Sequence, residues 1–250
     1  MIEAIQNHRS IRKFKPDAIP EDLLNELLRA GTRASTTGNM QVYSIILTQQ
    51  PEQKKKLWDI HFRQNMVLEA PVILTFNADF NRFSKWCEYR NAIPGYDNFL
   101  SFTTAFIDAL LASQNIALEA ENNGLGICYL GTTTYNADKI CDLFHLPKGV
   151  VPATALVLGY PAEIPELTDR LPLEAIVHRE TYLDYSEEQI DSIYAERENS
   201  EMTRKLLTIN NKETLAQIFT DNRYTKKDNL FFSKKYLEVI KNQGFMNNDD

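Results

Sequence analysis

The chain is poor in cysteine and has no long apolar run. Its 250 residues include three cysteines, Cys87, Cys128 and Cys141, with no C-x-x-C pair, and its four histidines are scattered. An odd cysteine count argues against a disulfide framework, and the scattered histidines argue against a structural zinc site. No apolar segment approaches the roughly 20 residues of a transmembrane helix, and the first residues lack the apolar centre of a signal peptide. We therefore expect a cytoplasmic protein with reduced thiols and no metal.

Several catalytic signatures are absent as well. None of the nine glycines forms G-x-G-x-x-G or G-x-x-x-x-G-K-[ST], so neither a Rossmann dinucleotide site nor a P-loop is expected. The G-x-S-x-G and H-E-x-x-H patterns of serine hydrolases and zinc proteases are also missing. Cys128 lies in the apolar run ICYLG, which predicts packing in a core rather than nucleophilic attack.

Charge is unevenly distributed in a chain whose formal net charge is −7. That balance disfavours a nucleic-acid-binding protein. Seven acids and one base fall between Asp184 and Glu201, whereas nine bases and four acids fall between Arg204 and Lys241. A basic segment in an acidic protein is suited to a phosphorylated ligand. The alternative is that these side chains form a solvated helix face.

The apolar pattern alternates helices with strands, and the hydrophobic content of 43% is typical of a globular protein. Four strands are predicted, at 43–48, 72–77, 127–131 and 154–158. Small and apolar residues at helical spacing predict a long helix over 99–123, which Gly124 ends. Asn136 is placed to cap the next helix. The pattern favours an α+β or α/β core of about 160 residues, followed by a C-terminal extension after Pro161.

Two polar clusters near the N-terminus are candidate binding sites. The first is the run His8-Arg9-Ser10-Ile11-Arg12-Lys13, whose arginines and hydroxyl are suited to phosphate oxygens. Its alternative interpretation is a solvated basic turn. The second is the run STTGNMQ at 35–41, whose hydroxyls and amides can hydrogen-bond a heteroaromatic ring. Its alternative interpretation is an ordinary connecting loop.

Two further clusters lie later in the chain. The run Tyr129-Leu130-Gly131-Thr132 places a glycine just after a buried strand, where a ligand can approach the backbone closely. The run Thr168-Asp169-Arg170-Leu171-Pro172 places an arginine in a loop punctuated by proline. Many strands end in glycine and many loops carry arginine, so neither cluster identifies a ligand by itself.

Taken together, five motifs in this order resemble the nitroreductase family of flavoproteins. They are HRSIRKF at 8–14, ASTTGNMQ at 34–41, GLGICYLG at 124–131, LGYPAEIPELTDRLP at 158–172 and VHRETY at 177–182. The similarity is to the branch of flavin reductase P and the major oxygen-insensitive nitroreductase, and it extends over about residues 3–245.

The resemblance implies a fold and an assembly. The family is α+β, with a central, mostly antiparallel sheet flanked by helices, and it forms an intertwined homodimer with two FMN molecules at the subunit interface. By this likeness, residues 1–161 are the FMN-binding core. Residues 162–250 are an extension that completes the FMN phosphate site and contributes helices near the nicotinamide nucleotide site, all within one domain.

The resemblance also assigns residues to the flavin and the nucleotide. The phosphate and ribityl chain are expected to contact His8, Arg9, Ser10, Arg12 and Arg170. The flavin is expected to contact Ser35, Thr36, Asn39 and Gln41 of the other subunit. The ring is expected to lie along Tyr129, Leu130, Gly131 and Thr132, with the Gly131 amide near N5. The 2′-phosphate of NADPH is expected to contact basic residues of the extension, namely Arg204, Arg223, Lys226 and Lys227.

Three positions depart from the family pattern. Thr168 stands where the branch has lysine, which removes one cation from the phosphate site. Glu69 stands at the position of a glutamine that contacts the ring; a carboxylate there is expected either to repel the reduced anionic flavin and lower its potential, or to point elsewhere. Thr132 replaces a glycine and is expected to narrow the pocket on the re face.

The favoured function is therefore NADPH-driven, FMN-dependent oxidoreduction. A hydride from NADPH is expected to reach FMN N5, after which a nitroaromatic, a quinone or a free flavin accepts electrons in the same pocket. This ping-pong cycle needs no catalytic side chain. Two alternatives stay open: a flavoprotein of this fold with another reaction, such as dehalogenation or flavin fragmentation, and a non-enzymatic interaction protein built on the helix at 99–123. No membrane or nucleic-acid partner is expected.

Overall fold

The computed structural model describes residues 1–247, and its centre is a four-stranded sheet. The strands are β1 (Tyr43–Thr48), β2 (Val72–Asp79), β3 (Gly126–Tyr129) and β4 (Val150–Gly159). Their order across the sheet is β1-β2-β4-β3, and every neighbouring pair is antiparallel. This architecture confirms the expected α+β class.

Eleven α-helices are present in the described residues, joined by short helical turns. They are α1 (Glu3–Gln6), α2 (Glu21–Thr32), α3 (Pro51–Ile60), α4 (Met66–Glu69), α5 (Asn81–Glu88), α6 (Phe99–Asn122), α7 (Ala137–Phe144), α8 (Glu187–Glu198), α9 (Glu201–Asn210), α10 (Leu215–Gln217) and α11 (Lys226–Asn242). The turns are Thr37–Asn39, Gly131–Thr133, Leu173–Ala175 and the π-type turn Ile218–Arg223. Within residues 1–247, no helix is both long enough and apolar enough to span a membrane.

The chain divides into two compact units. The first comprises Met1–Glu166 together with the chain from Phe232 onward, and the second comprises Leu167–Phe231. The first unit therefore contains the sheet and α1 to α7. The expected core, residues 1–161, falls within it, and Val239, Ile240 and Phe245 return to bury their side chains there.

The sheet of the first unit is buried on both faces. Every residue of β2 is buried, and so is nearly every residue of β4, which is the pattern of strands covered on two sides. Helices α2 and α6 contribute Leu27 and Ile116 to one apolar cluster against the sheet. A second cluster includes Leu57 of α3 and Leu130. The site described below lies around this second cluster and along α6.

The predicted long helix is confirmed as α6, and Gly124 follows it with a φ of 75°, the left-handed conformation that ends helices. The predicted capping role of Asn136 is wrong. The Asn136 amide donates instead to the Ile60 carbonyl at 2.6 Å, and its Oδ1 accepts from Lys235 at 3.0 Å. The side chain is consumed by these tertiary contacts, so α7 begins without a side-chain cap.

The second unit is built from short helices with local caps. Ser186 and Gln189 form a capping box at the start of α8, and Thr214 and Gln217 form another at α10. Each box satisfies backbone N–H groups that a helix end leaves unpaired. Leu215 and Ile218 are the buried apolar residues of this region.

Candidate active site

The segment from His8 to Arg12 lies alongside the edge strand β3. Ser10 pairs with Ile127 in a parallel bridge, and the Ile11 N–H donates to the Ile127 carbonyl at 2.8 Å. Ile11 is buried and packs over Gly126, where an added Cβ would lie only 2.5 Å from the Ile11 side chain. Gly126 therefore permits the segment to approach the strand, and the segment's polar side chains are fixed beside the end of β3.

Glu121 of α6 anchors the start of this segment. Its Oε1 lies 2.7 Å from His8 Nδ1, and its side chain is only 11% exposed. Burial raises the pKa of the Glu121 carboxyl, and the hydrogen bond from His8 opposes that shift. Arg9 Nε is buried and has no partner among residues 1–247. A buried donor in that condition calls for a ligand or a partner chain.

A cavity of about 360 Å³ adjoins Arg9. Asn7, Glu121 and Ile164 line it together with Glu3. The lining of this cavity therefore carries charges of both signs, from Arg9 and from Glu3 and Glu121, and Ser10 and Arg12 follow along the chain beside β3.

The turn Gly131–Thr133 leaves β3 with an open face. Leu130 is buried, and its N–H donates to the Ala155 carbonyl at 2.8 Å, while its carbonyl accepts from the Thr133 hydroxyl at 2.7 Å. A Cβ added at Gly131 would meet nothing within 4 Å. In the described chain the Gly131 N–H has no backbone partner. Leu130 thus holds the turn onto the sheet, and the Gly131 N–H remains available on the open side of the turn.

Tyr129 connects the same strand to α6. Its hydroxyl lies 3.1 Å from Ser113 Oγ and 3.5 Å from Gln114 Oε1. Burial raises the pKa of the Tyr129 phenol, and the hydrogen bond with Ser113 opposes the change. The Tyr129 side chain is therefore held against α6, and its phenol is uncharged.

The Thr132 hydroxyl is held by two residues that the sequence did not indicate. His61 Nδ1 lies 2.8 Å from Thr132 Oγ1, and Gln64 Nε2 donates to the same oxygen at 3.2 Å. Burial lowers the pKa of His61 to about 4, so the imidazole is neutral near pH 7. The only signal available in the sequence was a lone histidine directly after the residues of α3.

The loop 35–41 is attached to α6 by a buried carboxylate. Asp108 Oδ1 accepts from the Thr37 N–H at 3.0 Å, and its Oδ2 accepts from the Val42 N–H at 3.4 Å. Within the loop, Gly38, Asn39 and Gln41 all have positive φ, and the Gln41 N–H donates to Thr36 Oγ1. Ser35, Asn39 and Gln41 are exposed, and Thr36 is half-buried. Their polar groups are therefore available to a ligand or a second chain.

Helix α6 separates the two polar clusters within one chain. Asp108 anchors the loop 35–41, and Glu121 anchors the segment 8–12. Thirteen residues of α-helix span about 20 Å along the axis. The segment 8–12 adjoins the turn at 131–133 through β3, whereas the loop is fixed near the other end of α6.

Glu69 is exposed at the end of α4, and its charge raises the pKa of Lys13. The stronger cause of that shift is the hydrogen bond from Lys13 to Glu163, at 2.7 Å.

Cys128 is buried in the second apolar cluster, and burial raises its pKa. The prediction that Cys128 packs in the core is confirmed.

The remaining predicted residues lie in the second unit. Arg170 Nη1 donates to Thr168 Oγ1 at 2.7 Å and to the Asp169 carbonyl at 2.9 Å, so its own loop supplies its acceptors. Asp169 in turn pairs with Arg197 at 2.5 Å. Arg204 is on α9, and its Nη2 donates to the Asn199 carbonyl at 3.0 Å.

Three basic residues lie around the start of α11. The Arg223 guanidinium is 5.5 Å from the ring centroid of Phe219, and Lys226 and Lys227 are exposed in the first turn of the helix. Among residues 1–247, no cluster of histidine, cysteine, aspartate and glutamate is suited to a metal ion.

Comparison with known proteins identifies the chain. The family model described as "Nitroreductase family" matches residues 5–160. The chain belongs to the nitroreductase family. It is 35% identical over 183 residues to an FMN reductase (NADPH) of Bacillus subtilis, covering 72% of this chain and 74% of that one. It is 30% identical over 238 residues to an oxygen-insensitive NADPH nitroreductase of Salmonella typhimurium, covering 94% and 95%.

A crystal structure of a Bacteroides fragilis protein has the same nitroreductase fold. Its TM-score is 0.97 and its sequence is 52% identical, over 98% of this chain and 100% of that one. The family and fold predicted from the motifs are therefore confirmed. The residue assignments to FMN and NADPH stay predictions.

The residues present fit FMN. The open Gly131 N–H and the unpaired, buried Arg9 Nε are donors that residues 1–247 leave without partners. Ser10, Arg12 and His8 add a hydroxyl, a guanidinium and an imidazole on the same edge of the sheet. Arginine and hydroxyl donors are matched to phosphate, and a free backbone N–H is matched to a ring nitrogen.

Proposed function

We propose that the chain is an FMN-dependent NADPH oxidoreductase of the nitroreductase family. The relatives named FMN reductase (NADPH) and oxygen-insensitive NADPH nitroreductase support this function. The observation that carries it is the turn Gly131–Thr133, which offers a free N–H and an open face beside the donors of residues 8–12. FMN, when bound, supplies the chemistry, because its ring accepts a hydride from the nicotinamide and passes the electrons to a second substrate.

The segment 8–12 holds the phosphate end of the cofactor. Ser10 and Arg12 offer a hydroxyl and a guanidinium from a backbone that β3 keeps in place. Arg9 offers the buried Nε donor, which has no partner in the part of the chain that the structure describes. Arg170 joins them by the likeness to the family, with Thr168 fixing its guanidinium.

The turn after β3 orients the ring. When FMN is bound, the Gly131 N–H would donate to the ring and Tyr129 and Thr132 would lie beside it, while Leu130 holds the turn onto the sheet. The exposed carboxylate of Glu69 is assigned to the ring by the likeness to the family, and Gln64 donates its amide to Thr132 of the same turn. The chain needs no acid–base side chain, so its role is to bind, orient and exclude water.

The functional unit is a homodimer. Helix α6 exposes an apolar stripe, with Leu100 at 76%, Ile107 at 49% and Leu111 at 43%. A stripe of this kind on a long central helix is suited to a partner surface. The loop 35–41 is anchored about 20 Å along α6 from the segment 8–12. The partner's copy of the loop, with Ser35, Thr36, Asn39 and Gln41, therefore completes the flavin site.

The basic residues of the second unit bind NADPH. Arg223 is held over Phe219, and Lys226 and Lys227 extend from the start of α11. These side chains, with Arg204, suit the 2′-phosphate that distinguishes NADPH from NADH.

The second substrate is a small electron acceptor such as a nitroaromatic, a quinone or a flavin. The three free thiols support a cytoplasmic location.

Steady-state kinetics test this function. NADPH oxidation is measured at several concentrations of a quinone, and then of a nitroaromatic. We expect parallel lines in double-reciprocal plots, because both substrates use one pocket in turn. An FMN-containing protein that does not oxidise NADPH with any of these acceptors would support a different flavin reaction, and a protein without FMN would contradict the proposal.

A further inference from the structure

The Thr132 hydroxyl is hydrogen-bonded by two side chains, which come from the turn after α3. His61 and Gln64 both follow α3, and Gln64 Nε2 also donates to the His61 carbonyl at 3.1 Å. Gln64 therefore joins His61 to Thr132 by two hydrogen bonds, at 3.1 and 3.2 Å. His61 is 0% exposed, although histidine is seldom buried completely. The three residues form one network beneath the turn Gly131–Thr133.

The backbone that presents this network is strained. Phe62 and Arg63 are both non-glycine residues with positive φ, 54° and 58°. Such conformations are unfavourable for residues with a Cβ, and they concentrate at functional sites. The Arg63 N–H donates to the Trp58 carbonyl at 2.8 Å, which fixes the turn. The fold thus maintains an unfavourable turn that brings His61 and Gln64 to one oxygen.

The hydrogen-bond partners determine which ring nitrogen of His61 carries the proton. His61 Nε2 is buried and has no partner in the described residues. A buried N–H without an acceptor is rarer than an unused acceptor, so the neutral ring carries its proton on Nδ1. The Nδ1–H then donates to Thr132 Oγ1, which also accepts from Gln64. Both acceptor sites of the hydroxyl are filled, and only its O–H remains to be used.

We propose that His61 is a positioning residue that, with Gln64, orients the Thr132 O–H as a hydrogen-bond donor to the ring of the bound flavin. The inference rests on the proposed function, because the flavin is the ligand of this turn. A donor to the ring stabilises its electron-rich reduced form more than its oxidised form. The imidazole itself is neutral near pH 7, so it directs the hydroxyl and delivers no proton.

The redox potential of bound FMN tests this role. Thr132→Val removes the hydroxyl with little change of shape, and His61→Leu removes the group that orients it. Each is expected to shift the equilibrium between reduced and oxidised flavin about tenfold toward the oxidised form, which for two electrons is about 30 mV. The double variant should show no further shift, because the residues act as one unit. His61→Asn, whose amide can replace Nδ1–H, should restore the wild-type potential.

Two controls separate positioning from packing. Leu57→Ala removes a fully buried side chain from the same helix, and it should lower stability without changing the potential. The ¹⁵N spectrum of the His61 ring, measured without FMN and assigned by its loss in His61→Asn, should show the proton on Nδ1. Three results would overturn this inference and leave the proposed function intact. They are a proton on Nε2, an unchanged potential in His61→Leu, and a shift of the potential in Leu57→Ala equal to that in His61→Leu. A wild-type protein that binds no FMN would instead contradict the proposed function.

Discussion

The Arg223 guanidinium lies over the Phe219 ring, 5.5 Å from its centroid, at the end of the π-type turn Ile218–Arg223. Phe219 is also stacked with Tyr224, with ring centroids 6.1 Å apart. A guanidinium held on an aromatic face loses less freedom when it binds an anion than a freely moving side chain does. This relationship makes Arg223 a partly pre-organised member of the basic group that we assign to NADPH.

Removing charge from that group should reduce the preference for NADPH. Arg223→Ala combined with Lys226→Ala should raise the Michaelis constant for NADPH several-fold and leave that for NADH unchanged, because only NADPH carries the 2′-phosphate. A tenfold change corresponds to about 1.4 kcal/mol. The effect should shrink as salt increases, since exposed charges are screened over about 8–10 Å.

The control for that variant is Lys55→Ala with Lys56→Ala, which removes the same charge from the exposed side of α3. It should leave both Michaelis constants unchanged. If the wild-type enzyme uses NADPH and NADH equally well at low salt, the basic group does not recognise the 2′-phosphate.

Arg9→Ala should weaken FMN binding more than Arg170→Ala. Arg9 Nε has no partner within residues 1–247, whereas Arg170 already donates to acceptors of its own loop. A hydrogen bond to a charged group contributes about 1.5–3 kcal/mol, so the Arg9 variant should bind FMN at least tenfold more weakly. Fluorescence titration of the apoproteins measures both dissociation constants, and equal values would contradict the ranking.

Charging the exposed stripe of α6 should separate the dimer and release FMN. Ile107→Glu with Leu111→Glu places two carboxylates where we expect an apolar partner surface. Sedimentation should show a monomer, and the flavin absorbance should no longer sediment with the protein. Lys55→Gln with Lys56→Gln changes the net charge equally and should leave the dimer intact. A monomer that retains FMN would show that the partner's loop is not part of the site.

The pH dependence of stability should report the buried imidazole of His61. Its pKa is about 4 in the folded chain, below the ordinary value of 6.5, so the unfolded chain binds the proton more tightly. Stability is therefore full above pH 6.5, decreases as the pH falls, and levels off below pH 4. Between pH 7 and 5 the loss attributable to His61 is about 2 kcal/mol.

Urea unfolding at those two pH values, with FMN in constant excess, measures this loss. Between pH 7 and 5, the loss of stability in His61→Asn should be smaller than in wild type by the amount attributed to His61. Leu57→Ala should be less stable than wild type at both pH values and should show the wild-type pH dependence. An identical pH dependence in wild type and His61→Asn would mean that His61 is not kept neutral by burial.

The sequence was most informative where structure is local. Helix α6 follows from small and apolar residues at helical spacing, and β1 follows from a run of β-branched and apolar residues. The start of β4 was missed because it contains Pro152, which removes a backbone donor. The register shift between Phe76 and Asn77 accommodates this residue, since Asn77 pairs with Pro152 and Phe76 with Thr154.

The residues that hold the site were not predictable in the same way. Asp108 is a charged residue among the mostly small and apolar buried residues of α6, yet its partner Thr37 is 71 residues away in sequence. His61 and Thr132 are separated by the same number of residues. The spacing of residues along the chain does not predict such pairs, because only the folded sheet and α6 bring the two side chains together. The donor clusters were visible as motifs, whereas the groups that orient them emerged only from the fold.

An anaerobic absorbance titration of the purified protein with NADPH tests the central claim most directly. We expect one FMN per chain, a visible flavin band, and loss of that band upon addition of one equivalent of NADPH, followed by its return when a quinone is added. A colourless protein that takes up no added FMN, or a yellow protein whose band NADPH leaves unchanged, would contradict the account.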